Sequence, residues 1–324
     1  VVVGIYGFQL IMRVQFWITL VTGVITIVYL ITVLPLIDFS AVSAIEAGSL
    51  AAVVGALVFM MTGFGLGWVN AGADYSRYLP RNASGKGVVG WTTFGAALAP
   101  VILLVVGLLL AGSSADLSAA IASYSLGPLI PLTQPWFVIP FAIVVVLGLV
   151  AGAIMDIYSS GLSLLAVGLK VKRPVAAGID GVIMVLGSIY VLFVAGDFFG
   201  PFQGFLITLG VPIAAWCGIF VADVILRKKD LADKELYDSK GRYGSVRWVS
   251  IAILVIATVV GWGLVTNGYA PWLAWEGYLF GPAGDGTFHD AWQYSNLGVL
   301  VALVLGFVGY LILGRSAVKA QESQ

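Results

Sequence analysis

ILLVVGLLL (102–110) and IVVVLGLV (143–150) are unbroken apolar runs without alternating polar positions. A lipid-facing β-strand alternates along segments of about ten residues, whereas a spanning helix needs about 20 mostly apolar residues. Both runs lie inside longer apolar stretches, so they predict bilayer-crossing helices. Working outward, the same reading predicts a partial span at 1–11, then full spans at about 15–37, 47–69, 88–112, 136–168, 174–196, 199–226, 247–266 and 295–314. The 136–168 segment is long enough to tilt or bend. The fold class is an all-α polytopic membrane protein.

Composition agrees. Hydrophobic residues make up 60% of the 324 positions and charged residues only 10%, against about 25% charged in soluble domains. The mean hydropathy is +1.04. These values exclude a water-soluble enzyme. The single cysteine, Cys217, forms no internal disulfide, which excludes a disulfide scaffold. Sixteen Lys and Arg balance sixteen Asp and Glu, so no global basic field points to a nucleic-acid partner. There is no metal-spaced His/Cys set, phosphate-binding glycine loop or nucleophile elbow. No polar catalytic cluster of an enzyme is legible, and no cofactor or metal is expected. The chain opens at Val1 inside an apolar stretch, so it reads as part of a longer protein.

With these spans every Lys and Arg falls on alternate loops: Arg13 after the partial span, Arg77, Arg81 and Lys86, then Lys170, Lys172 and Arg173, seven between Arg227 and Arg247, and Arg315 and Lys319 in the tail. The opposite loops carry Asp38, Glu46, Asp116, Asp197, Glu276, Asp285 and Asp290 and no basic residue. The positive-inside rule makes the basic loops and the C-terminus cytoplasmic in a cell membrane. The 267–295 loop holds Tyr269, Trp272, Trp275, Tyr278 and Trp292, which reads as an interfacial aromatic belt. The only histidine, His289, reads as a surface residue there.

Two places inside the spans carry chemistry. Thr62-Gly63-Phe64-Gly65-Leu66-Gly67 ends the 47–69 span. Alternate glycines cannot form one helical face and each costs about 1 kcal/mol of helix propensity relative to Ala. Unwound backbone lining a cavity and close helix packing through small residues both account for them. Phe64 lies between two of the glycines; it is either an ordinary apolar residue or a ring offered to a flat heterocycle, as stacking on bases illustrates. The second place is Asp156, about fourteen residues and thus roughly 20 Å of helix axis before Lys170. A carboxylate there is costly unless paired, hydrated or protonated. It is a candidate for substrate N–H groups or a coupling proton, or else a structural interhelical bond. Ser160 shares its face by i,i+4 spacing. Asp74 reads as a local partner of Arg77, Asp180 and Asp223 as acids that pair or snorkel near helix ends, and Gly210-Val211-Pro212 as a kink.

GWVNAGADYSRYLPR (67–81) resembles the end of the sixth helix in the nucleobase:cation symporter-1 family, and MDIYSSGLSLLAVGL (155–169) resembles the eighth helix of its purine–cytosine permease branch. DVILRKKD (223–230), ELYDSKGRYG (235–244) and WLAWEGYL (272–279) are similar to later family segments in the same order. The resemblance implies twelve helices, two inverted five-helix repeats followed by two more. Residues 1–37 would end the first repeat, 38–226 form the second, 227–247 a cytoplasmic loop, and 248–324 the last two helices and tail, with the first three helices absent. It implies cation-coupled import of cytosine or a purine. Phe64 would stack on the base, Gly63 and Gly65 give backbone contacts, Gly63, Gly65 and Gly67 form a hinge, and Asp156 with Ser160 bond the polar edge. Asp156 stands where the family often has Asn. Sodium-coupled relatives use hydroxyl side chains about two turns earlier, where this chain reads Leu147-Gly148-Leu149-Val150-Ala151-Gly152, which favours a proton. Uracil, allantoin, hydantoin or a thiamine precursor are the alternatives within the family. Outside it, a scaffold or channel is the alternative, although no span shows the polar stripe a channel needs.

Overall fold

The computed structural model describes residues 3–4, 7–124, 127–194, 199–268, 271–281 and 288–323. Asp197, Tyr269 and Asp285 lie outside the described residues. The helices of nine residues or more are α1 (Phe8–Val33), α2 (Leu50–Met60), α3 (Gly85–Gly112), α4 (Ala115–Tyr124), α5 (Val138–Ala166), α6 (Arg173–Phe193), α7 (Phe199–Leu226), α8 (Trp248–Trp262), α9 (Leu297–Leu313) and α10 (Arg315–Ser323). No strand occurs among the described residues. In lipid this is the economical solution, because a helix satisfies its backbone polar groups within its own segment.

Among the described residues, six segments are long and apolar enough to cross a membrane, from Phe8–Leu36 to Phe202–Leu226; α9 and α10, bent by 49°, add a seventh if counted as one span. The chain is an all-α polytopic membrane protein. Three details differ from the sequence reading. The first span begins at Phe8, after Gly7 at φ 110°, and Arg13 lies inside its second turn rather than in a loop. The 247–266 span is helical only over Trp248–Trp262, 15 residues. The 295–314 span ends at Leu313 and bends into α10.

The chain divides into two compact units, each assembled from two separate stretches: residues 1–47 with 74–190, and residues 48–73 with 191–324. In the first unit α1 packs on α5. Ile11, Ile154 and Tyr158 form a buried cluster, and Gln15 Nε2 donates across to the Ala151 carbonyl at 2.7 Å. Gly161 lets α6 approach α5, since a methyl there would lie 3.1 Å from Ala177. A second cluster joins Val33 and Ile37 to Val106 and Leu110.

In the second unit α7, α8 and α9 pack through small residues. Ala214, Ala215, Ala257 and Ala302 are buried with Val211 and Val299. A methyl on Gly306 would collide with the Ala215 carbonyl, one on Gly218 with that of Leu303, and one on Gly298 with that of Gly261. Lipid supplies no hydrophobic drive between helices, so this backbone-to-backbone contact holds them. At one end Asp223 accepts from Arg227 at 2.6 Å, from Tyr310 Oη at 2.6 Å and from Arg247 at 3.5 Å, so it pairs with basic neighbours as its position suggested. Helix α10 joins this cluster through Gln321, which accepts from Arg227 at 3.1 Å.

Close packing by small residues therefore occurs at Gly218, Gly261, Gly298 and Gly306, not at the glycines of 63–67: around Gly63 and Gly65 an added methyl meets nothing within 4 Å. Gly306→Leu should destabilise the protein by about 1–3 kcal/mol or prevent folding, as overpacking does. Gly65→Ala should leave stability unchanged or raise it by up to about 1 kcal/mol. Thermal denaturation in detergent followed by size-exclusion chromatography reads both.

Candidate functional site

The Thr62–Gly67 stretch stays helical. Met61–Leu66 forms a π-helical turn, and α-helix resumes over Gly67–Val69. The expected unwinding is absent. Thr62 Oγ1 donates to the Val58 carbonyl one turn back, at 2.8 Å, a bond that loosens and bends a helix. With glycines on both sides of Phe64, the added residue of a π turn is accommodated locally; such turns concentrate at functional sites. Phe64 is 56% exposed, so its ring face is open.

Gly63 lines a cleft with Phe59, Thr62, Gln203, Ile207 and Asn296. Phe59, Gln203, Ile207 and Asn296 also border a cavity of about 500 Å³ reaching Thr266 and Tyr294. All of these lie in the second unit. Gln203 and Asn296 supply polar groups that the sequence reading passed over. Asn296 is the described non-glycine residue with positive φ, 51°, at the start of α9, a conformation Asn tolerates better than most residues.

Asp156 lies on α5 in the first unit and is exposed; among the described residues it makes no hydrogen bond, which leaves its carboxylate oxygens open. Ser160 Oγ turns back to the Ile157 carbonyl at 3.4 Å. The polar contact on this helix belongs instead to the neighbouring serine, with Ser159 Oγ donating to Asp74 at 2.5 Å. Asp74 does not pair with Arg77. Arg77 lies beyond the short helix Gly72–Ser76, and its guanidinium donates to Tyr78 Oη at 3.0 Å and Tyr158 Oη at 3.4 Å.

Around this contact the 74–78 segment docks on residues 155–159. Tyr75 Oη donates to the Met155 carbonyl at 2.9 Å. The Tyr78 and Tyr158 hydroxyls lie 2.6 Å apart, and the Arg173 guanidinium sits 5.1 Å from the Tyr158 ring centre. Burial, followed by the charges of Asp74 and Asp156, pushes the Tyr75 phenol far above its ordinary range. The Arg77 hydrogen bond pulls the Tyr78 phenol down. Tyr75 therefore remains a neutral donor at any physiological pH, holding the segment to the residue just before Asp156. Sequence reasoning treated 67–81 and 155–169 as separate motifs. Their tyrosines, bordering the charged residues, were the available sign that the two segments meet.

The family model described as "Permease for cytosine/purines, uracil, thiamine, allantoin" matches residues 1–278. YxlA of Bacillus subtilis (strain 168), whose name places it among purine-cytosine permeases, is 24% identical over 194 residues, 58% of this chain. The match spans 41% of that relative's length. No solved structure matches the chain.

Removing the Ser159 hydroxyl leaves Asp74 without its short bond, so Ser159→Ala should cost about 1–3 kcal/mol. Ser160→Ala should stay within about 0.5 kcal/mol. Parallel melting curves of the two variants test this assignment of the polar contact.

Proposed function

The chain belongs to the family of permeases for cytosine/purines, uracil, thiamine and allantoin, and on that premise we propose that it imports a nucleobase, cytosine or a purine, by cation-coupled alternating access. The observation that carries the proposal is the family match through residues 1–278, a stretch containing both the π turn at Phe64 and the intramembrane Asp156. In this reading Phe64 stacks on the heterocycle and Gly63 and Gly65 present backbone to it, while Asp156 accepts hydrogen bonds from ring and exocyclic N–H groups beside Ser160. The exposed ring and the open carboxylate suit those roles. A π turn flanked by glycines suits a hinge, because it exchanges with α-helix by shifting one residue.

A carboxylate deep in a span also suits proton coupling, and the hydroxyl-free run Leu147–Gly152 offers no side-chain oxygen for sodium. The reading places the Lys- and Arg-rich loops and the C-terminus in the cytoplasm.

Uptake of labelled cytosine, adenine, uracil and allantoin by cells expressing the full-length protein tests the substrate. Saturable uptake of cytosine or adenine is expected; uptake of none of the four overturns the proposal. Phe64→Ala should weaken apparent affinity by about 5- to 150-fold, the equivalent of one lost stacking contact. Asp156→Ala should abolish uptake without reducing the amount of protein in the membrane. For the coupling ion, uptake should collapse with the proton gradient and ignore sodium; sodium-stimulated uptake indifferent to pH would reverse the assignment.

A further inference from the structure

Glu276 lies in the loop between α8 and α9 and is 7% exposed, and both carboxylate oxygens are sealed from solvent without a hydrogen-bond partner. The chain around it is firmly placed. Gly277, at φ 85°, donates its N–H to the Trp262 carbonyl at 2.9 Å, and Leu279 donates to the Gly263 carbonyl at 2.9 Å. Gly298 closes the same end by donating to the Leu264 carbonyl at 2.8 Å. The returning loop thus takes over carbonyls at the end of α8 and carries Glu276 inward.

The side chains of Thr208 and Asn267 stand close enough to the carboxyl to favour its charged form, but the hydrogen bonds they complete go to other groups. Thr208 Oγ1 donates to the Gly204 carbonyl at 2.9 Å. Asn267 Nδ2 donates to the same carbonyl at 2.9 Å and to Thr208 Oγ1 at 3.1 Å. The Thr266 hydroxyl is likewise buried and unpartnered, and it lies 3.5 Å from where a Cβ on Gly277 would stand. The surroundings are therefore rich in oxygen and complete no hydrogen bond to the carboxylate. No charged side chain among the described residues acts on Glu276. From α7 it meets Thr208 and from the end of α8 Asn267, while Tyr278, the titratable residue of its own loop, turns its hydroxyl to the Val259 carbonyl. His289 faces the Gly281 carbonyl. A bare carboxylate so enclosed costs several kcal/mol and must be neutralised.

We propose that Glu276 is a binding site for one monovalent cation, a proton or an alkali ion, held at its carboxyl among the oxygens of Thr208, Thr266 and Asn267. Thr266 also borders the 500 Å³ cavity lined by Gln203 and Asn296. Burial pushes the Glu276 carboxyl above its usual range, partly offset by Thr208 and Asn267, as a proton occupant requires. The site does not rest on the identity of the transported substrate.

The chain contains four glutamates, Glu46, Glu235, Glu276 and Glu322. Glu235 is held ionised by Arg242 and Glu322 by the N–H groups of Lys228 and Lys229, and Glu46 is exposed. Infrared spectra of full-length protein carrying glutamate labelled at the side-chain carboxyl therefore isolate Glu276, with Glu276→Gln as the reference. In sodium- and potassium-free buffer at neutral pH the expected result is a protonated carboxyl band that Glu276→Gln lacks. If the occupant is a proton, adding sodium or potassium leaves the band in place. If it is an alkali ion, the band disappears on addition and the melting temperature rises in wild type but not in Glu276→Gln.

The sign of the pH dependence follows from the raised folded-state value. The folded state holds the proton more tightly than the unfolded state, so the stabilisation is complete below the unfolded value. It is lost as pH rises through the folded one. Wild-type melting temperature should fall over that window relative to Glu276→Gln, which should fold because it keeps the shape and removes the charge. Should Glu276→Gln not accumulate, the labelled wild-type spectrum decides alone. A Glu276 that is ionised at neutral pH in alkali-free buffer, with melting indifferent to sodium and potassium, would overturn the proposal.

Discussion

Hydrocarbon offers the backbone no water, so every N–H and C=O inside it must be bonded within the chain. Most of this molecule answers with α-helix, and its informative places are those where α-helix gives way and something else takes over. At Met61–Leu66 the ladder widens to a π turn rather than opening, helped by the Thr62 hydroxyl on the Val58 carbonyl. At Trp262 a helix of only 15 residues stops, and Gly277, Leu279 and Gly298 bring N–H groups to the carbonyls of residues 262–264. One substitution keeps a segment helical while loosening it. The other folds a loop back over a helix end and buries whatever that loop carries.

The same constraint sorts the side chains. Inside the bundle of α7, α8 and α9, glycine and alanine allow backbones to touch. Charged groups collect at element ends, where Asp223 is shared among Arg227, Arg247 and Tyr310. In the first unit tyrosines do the joining. Tyr75 and Tyr158 each present an apolar ring to the core and a hydroxyl to a polar partner, and the exposed Tyr78 adds its hydroxyl to that of Tyr158, which suits amphipathic residues. Family membership accords with this economy, since a transporter needs interfaces that slide or rock more than it needs a deep polar core.

The spans were legible because hydropathy acts over 20 residues at once, and a single displaced boundary does not erase the signal. The boundary at Arg13 was displaced for a local reason: one positive charge was read as ending a helix, whereas Gly7 at φ 110° is the actual break. The glycines of 63–67 carried a real signal of departure from α-helix, but spacing alone does not distinguish unwinding from a π turn, which depends on the Thr62 back-bond. Asp74 was misread because an i,i+3 partner presumes that the helix continues, and this one stops at Ser76. Glu276 was legible only as an acid in an aromatic loop. Its burial comes from pairing between residues 277–298 and 262–264, a tertiary fact absent from local pattern.

Asp156 and Glu276 show how position divides two chemically similar groups. Asp156 is exposed on the surface of α5, and its carboxylate is left open to a partner from outside its own helix. Glu276 is sealed with both oxygens unsatisfied, so an uncompensated charge there is costly. The first arrangement favours an exchangeable, hydrogen-bonded ligand such as a heterocycle edge. The second suits the small cation proposed for it. On the proposed reading one carboxylate need not serve both purposes. Gly277 and Leu279 tie the described part of the loop between α8 and α9 to the end of α8, and Gly298 of α9 adds a third bond there, so the enclosure of Glu276 is built by backbone pairing.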